Sequence, residues 1–197
     1  LASHAFDLHD AVRRAAHTLP AEQETLLAQV GLFSGKFNDI YDQLAISDLP
    51  YPEVELPGLG AVRLNQTGYI VHRSSPDRAV REKVFHDFWS TFKGYENTFG
   101  TVLNAEVQKN WFYAQARSYP SSLAATYDAD NIPVEVYSSL IRDAHANLAT
   151  LHRMLALRKR MLRLDDQKYS DIYVSIVPKV ELAYGWDETK ATVVKAL

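Results

Sequence analysis

Hydrophobic positions recur with a helical period at both ends of the chain and lose it in between. Over residues 1–30, Phe6, Leu8, Val12, Ala15, Ala16 and Leu19 share one face at helical spacing. Pro20 opens a second segment whose first turn carries Glu22, Gln23 and Glu24. Negative charge there suits the free amides of a helix start. Phe33, Phe37, Ile40, Tyr41 and Leu44 extend the spacing, and Asp42–Leu49 is less regular. Between Leu49 and Arg73, Pro50, Pro52, Pro57, Gly58 and Gly60 exclude a long helix. Ala61–Leu64 and Tyr69–His72 flank Asn65-Gln66-Thr67-Gly68 and predict a β-hairpin with a four-residue connection. Such a hairpin is marginal alone and must pack on something.

From Ser74 onward the pattern is helical. Ser75 is placed to cap a helix with Pro76 at its first position. Val80, Val84, Phe85, Phe88, Trp89 and Phe92 follow as one wide aromatic face, which Gly94 interrupts. Phe99, Val102, Leu103, Glu106, Val107 and Trp111 continue a stripe. Residues 118–133 form a break in which Ser121-Ser122-Leu123 opens a short helix, and Ile132-Pro133 opens the next. The spacing from Val136 through Leu140, Leu148 and Leu155 to Met161 predicts one long helix with a basic end. Tyr169–Val180 is mixed and broken at Pro178, and Trp186-Asp187-Glu188 starts a last helix. The expected fold is mainly α: a multi-helix bundle of five or six helices with one small β-hairpin. Without a βαβ rhythm, a doubly wound sheet is not expected. The chain divides into residues 1–73, helices plus hairpin, and residues 74–197, a helical segment.

Composition narrows the function. The 197 residues suffice for one sizeable core, or two small ones. A formal charge of −3 argues against a broad nucleic-acid surface. No apolar run approaches the roughly 18 residues of a membrane span. The absence of cysteine removes disulfides, thiolate metal sites and a cysteine nucleophile. It suits the cytoplasm and is equally compatible with export after loss of a leader. The chain begins at Leu1 and ends on Val193-Val194-Lys195-Ala196-Leu197, and both ends read as cuts in a longer protein.

Candidate chemistry is sparse. None of the seven histidines belongs to an H-E-x-x-H pair. His145 and His152 are seven apart, about 10 Å along one helix, too far to share a metal. His9 and His17 are eight apart, and the same holds. Gly58-Leu59-Gly60 lacks the third glycine and the strand–helix context of a phosphate loop. Asp128/Asp130, Asp165-Asp166 and Asp187-Glu188 are carboxylate pairs that read as caps and surface. Asn65-Gln66-Thr67 fits a glycosylation sequon by a short match. Arg153–Arg163 interleaves with Met154, Leu155, Leu157, Met161 and Leu162, the pattern of a helix with a wet basic side. The loop Arg117-Ser118-Tyr119-Pro120-Ser121-Ser122 follows the cluster Trp111-Phe112-Tyr113. Arg117 and Tyr119 are the substrate-contact candidates, able to hold a peptide backbone or carboxylate, or else to seal the neighbouring helix end.

These stretches, taken in order, resemble a known family. Ser75-Pro76-Asp77-Arg78-Ala79-Val80-Arg81 with Val84-Phe85 is one match. Ala114-x-x-Arg117-x-Tyr119-x-Ser121-x-Leu123 is a second, and Ile132-Pro133-x-Glu135-Val136-Tyr137-x-x-Leu140-Ile141 a third. Leu151-His152-Arg153-x-x-x-Leu157-Arg158-Lys159, then Tyr169-x-Asp171-Ile172-Tyr173, follow in the same order. Tyr184–Thr189 stands as an altered form of a further element. The set is similar to the oligoendopeptidase F family of thimet-oligopeptidase-like zinc metallopeptidases, in its non-catalytic N-terminal part. The resemblance implies a longer, mainly helical enzyme that cleaves oligopeptides in a channel. Its zinc is held by H-E-x-x-H and a downstream glutamate, none of them present here. It implies that this segment forms channel wall, carries no catalytic residue or metal ligand, and is inactive alone. The remaining catalytic region and an oligopeptide substrate are the implied partners. A non-catalytic helical peptide-binding or scaffold module is the alternative, and a nucleic-acid binder using Arg153–Arg163 a third reading. That third reading requires one uninterrupted exposed basic stripe. The load of 3 Trp, 11 Tyr and 8 Phe exceeds what a compact bundle needs, so an exposed apolar face is expected.

Overall fold

In the computed structural model, which describes residues 4–177 and 185–196, the β-hairpin lies earlier in the chain than expected. Leu1, Pro178, Val180, Tyr184 and Leu197, named above, lie outside the described residues. Strand β1 (Glu53–Leu56) pairs antiparallel with β2 (Gly60–Arg63), with Glu53 opposite Arg63 and Leu56 opposite Gly60. The turn uses Pro57 and two glycines at positive φ, Gly58 at 75° and Gly60 at 73°, a region that side chains avoid.

Tyr69–His72, expected as the second strand, belongs instead to a helix, α4 (Gln66–His72). The side chain of Asn65 accepts a hydrogen bond from Gly68 N at 2.9 Å and so caps that helix. Gly68 lies hard against the preceding strand, where a Cβ would sit 2.2 Å from the Arg63 carbonyl oxygen. The four-residue connection is therefore a capped helical turn.

The helices before the hairpin are α1 (Ala5–Ala15), α2 (Ala21–Ser34) and α3 (Lys36–Asp42), which runs into a π-helical turn over Gln43–Asp48. After α4 come α5 (Arg78–Lys93), α6 (Glu96–Ala116), α7 (Ser122–Asp128), α8 (Val134–Ala146), α9 (Leu148–Met161) and α10 (Trp186–Ala196). The fold class is mainly α, with ten α-helices among the described residues in place of five or six. Local caps and breaks account for the excess. Asp77, not Ser75, caps α5, accepting from Ala79 N at 2.8 Å, while Ser75 Oγ accepts from Asp77 N. Ser121 caps α7 as its position suggested. The long helix expected from Val136 to Met161 is broken at Asn147, whose side-chain amide donates to the Asp143 carbonyl at 2.8 Å and competes with the helical ladder.

The core joins the hairpin to α4 and α5. Leu49, Tyr51, Val54, Leu56, Leu64, Tyr69, Val80, Val84 and Phe88 are buried together. Phe88 stacks on Tyr69 with ring centres 4.3 Å apart and on Tyr51 at 5.8 Å. Tyr51 carries its hydroxyl into this core and donates it to the Ala45 carbonyl at 2.5 Å. Helix α6 packs on α3 and α7, and the α8–α9 pair packs on itself and on α7.

Candidate functional site

The loop that closes α6 is a junction between the first helices and the middle of the chain. Its backbone reverses at Ser118, with φ of 57°, and Tyr119 N returns to the Ala114 carbonyl at 2.8 Å. This turn aims Arg117 and Tyr119 at α1 and α2. Arg117 donates to both oxygens of Glu24, at 2.6 and 2.7 Å, and to the His17 carbonyl at 3.1 Å. His17 answers by donating from Nδ1 to the Arg117 carbonyl at 2.8 Å. The His17 ring lies flat on Tyr119, ring centres 3.6 Å apart. Tyr119 donates its hydroxyl to Asp128 at 2.6 Å, and Asp128 also pairs with Arg13, which Asp10 holds in turn.

The charges respond to this arrangement. The Arg117 guanidinium, then the Leu19 amide, hold the Glu24 carboxyl down to about 2. The Tyr119 hydroxyl is raised by burial first and then by donating to Asp128. Asp128 is lowered, chiefly by accepting from Tyr119, against some desolvation and with help from Arg13. Beside the junction is a recess of about 410 Å³ lined by Arg14, His17, Tyr113, Arg117, Tyr119 and Asp128. Arg117 and Tyr119 thus come together with His17 and Glu24, from about a hundred positions away. Their partners had no sequence signal, because His17 reads as an ordinary polar helix position.

A second polar cluster joins Arg78, Arg81, Arg158 and Asp171, four residues of the family-like stretches whose pairing has no local sequence signal. Asp171, fully buried at the end of a 3₁₀ turn (Tyr169–Asp171), accepts from Arg81 Nη2 at 2.6 Å, Arg78 Nη2 at 3.2 Å and the Lys168 amide at 3.0 Å. Burial pushes the Asp171 carboxyl up, but the bonds from Arg81 and Lys168 and the charge of Arg78 outweigh it and leave it lowered. Arg81, also buried, donates to the Ser75 and Pro76 carbonyls at 2.9 Å each. Arg158 on α9 donates to the carbonyls of Asp171 at 3.1 Å and Val174 at 2.6 Å. Arg158 is half-buried in this role, so the basic stripe of α9 is interrupted and the nucleic-acid reading loses its requirement. Of the carboxylate pairs, Asp128 ends α7 and Asp166 accepts from Arg78. His145 and His152 lie on different helices, α8 and α9.

Among the described residues no three His, Asp or Glu side chains gather as a metal site. No described helix is long and apolar enough to cross a membrane.

The model of Peptidase family M3 matches residues 71–186, more than half the chain. The chain belongs to peptidase family M3. The model named Oligopeptidase F matches residues 1–51. Oligopeptidase PepF of Bacillus subtilis is 29% identical over all 197 residues, which cover 29% of that relative. Group B oligopeptidase PepB of Streptococcus agalactiae is 30% identical over 172 residues, covering 87% of this chain and 28% of that relative. The crystal structure of oligoendopeptidase-F from Enterococcus faecium superposes with a TM-score of 0.85 at 32% identity, covering 91% of this chain and 35% of that one. The family assignment agrees with the resemblance read from the motifs. The M3 chain described here spans about a third of the length of these relatives.

Proposed function

We propose that this chain is the non-catalytic part of a zinc-dependent metalloendopeptidase that hydrolyses oligopeptides, and that it supplies wall to the substrate channel. The observation that carries the reading is a fold shared along 91% of the chain with an oligoendopeptidase three times as long. Uncovered apolar side chains support it: Leu103, Val107 and Trp111 on α6 and Val136 and Leu140 on α8 all face outward. On this reading residues 74–197 continue into the catalytic region, which holds the zinc and the general base and covers those faces. When bound there, zinc would polarise the scissile carbonyl and activate water. Arg117 and Tyr119 serve the wall by fixing α1 and α2 against α6 and α7, and meet substrate only through the recess beside them. The cytoplasm is our proposed compartment for the intact enzyme, with which a cysteine-free segment is compatible.

The test compares the purified 197-residue chain with the protein extended to the full length of its relatives. An internally quenched oligopeptide should be cleaved by the long form, lose cleavage with a chelator and regain it with zinc. The short chain should cleave nothing. Zinc-dependent cleavage by the short chain alone overturns the proposal.

A further inference from the structure

Helix α1 is fastened to the molecule by polar contacts at one end. None of its eleven residues is buried, and Phe6 and Val12 stand 76% and 77% exposed. The attachment lies in its last turns. Arg13 pairs with Asp128 at the end of α7, and Arg14 Nη2 donates to the Ala129 carbonyl at 2.8 Å. Asp10 steadies both arginines from within α1, at 2.7 Å each. His17, just past the helix, adds its exchange of hydrogen bonds with Arg117 and its stack on Tyr119. Asp128 is the centre of this clasp, since it takes both Arg13 and the Tyr119 hydroxyl. Helix α2 is fastened differently. Leu27 on α2 is buried, and Glu24 holds both Arg117 and the Leu19 amide. The chain is thus tied to α2 from Leu19 onward. Thr18, exposed and outside any helix, bonds back to the Arg14 and Ala15 carbonyls and so belongs to α1.

We propose that residues 4–18 form a strap that closes on the α6–α7 end through this clasp and opens as a unit at the Thr18–Leu19 link. Helix α2 and the rest of the fold stay in place. Opening withdraws Arg14, His17 and Thr18 from the recess beside Arg117 and bares the face of Tyr119 that His17 covers. Two physical consequences separate a strap from a packed helix. A clasp of part-exposed charges weakens in salt, and apolar packing does not. A helix of this length is marginal alone, so the strap loses its helix when it opens.

The experiment is amide hydrogen exchange read by mass spectrometry, on the 197-residue chain and on the long form of the cleavage test. In both, the amides of α1 should exchange together, at least about a hundredfold faster than those around Val84 on α5. Asp128→Asn keeps a side-chain oxygen for Tyr119 and removes the charge that holds Arg13. It should speed exchange in α1 at least about tenfold and leave α2 and α5 unchanged. Sodium chloride at about 1 M should speed α1 at least about threefold without moving α5. Phe6→Ala should not speed α1. The proposal is overturned by α1 amides as slow as those of α5 in either form, or by Asp128→Asn acting on α1 and α5 alike. Faster exchange in Phe6→Ala, or an α1 that salt does not move, overturns it as well. The strap concerns this chain's own contacts, so these outcomes leave the peptidase reading standing, and a failed cleavage test leaves the strap.

Discussion

The hairpin–α4–α5 core and the α8–α9 pair are built from similar amounts of apolar sequence and put them to opposite use. In the first, Leu64 and Val84 are wholly buried and three aromatic rings stack through Phe88. In the second, no residue is buried, and Leu140 remains 66% exposed. Hydrophobic spacing is equally clear in both, so periodicity alone does not tell a face that is covered within this segment from one that faces outward. The core region closes on itself because the chain reverses twice there, at Pro57–Gly60 and at Asn65. The α8–α9 pair reverses once, at Asn147, and packs on α7 through α8 and on the Asp171–Val174 stretch through Arg158.

The largest effect should come from the ion cluster that links the two regions. Asp171→Ala leaves Arg81 buried without its partner, and a loss of about 3–5 kcal/mol is expected in urea unfolding. A loss under about 1 kcal/mol would mean that the core region does not depend on the cluster. Next, two leucines make the contrast quantitative. Leu64→Ala should cost about 2–5 kcal/mol by the same measurement. Leu140→Ala should change the stability of this chain by no more than about 0.5 kcal/mol, and equal losses would erase the distinction between the regions. Gly68→Ala should cost about 1–3 kcal/mol, because the new methyl meets the Arg63 carbonyl and strand and helix must part. Its signature is a lower thermal midpoint with little change in helix content.

The smallest effect is a titration. Glu24 and Asp171 both have lowered carboxyl groups, so their contribution to stability is complete above the ordinary carboxylate range, near about 4. It is lost as pH falls through the folded-state values, with Glu24 at about 2. Carbon-detected NMR of the Glu24 carboxyl should show that midpoint in the native chain and a higher one in Arg117→Gln, still held below the ordinary value by the Leu19 amide. An unshifted Glu24 in the native chain would remove the junction as a source of acid sensitivity.

Much of the fold was legible in the sequence, and the misses share a cause. Pro57, Gly58 and Gly60 announced a reversal, but Tyr69-Ile70-Val71-His72 is rich in β-formers and drew the second strand to the wrong place. Asn65 decides the matter by capping, and an asparagine at that position reads equally well as a turn. Asn147 was hidden in the same way inside a continuous apolar stripe. The Arg117–Tyr119 loop stood out by composition, while Glu24, His17 and Asp128 did not, since ion pairs across a hundred residues leave no local pattern. Asp171 has no local sign of burial, because a third aspartate shortly after Asp165-Asp166-Gln167-Lys168 looks like surface.

Arg158 gives the α8–α9 pair a mechanical role. It grips the carbonyls of Asp171 and Val174, and the carboxylate of the same Asp171 grips the first turns of α5. A load applied to the outer pair is therefore transmitted through one residue to α5. Asp171 is thus a common anchor, holding α5 through its carboxylate and α9 through its carbonyl.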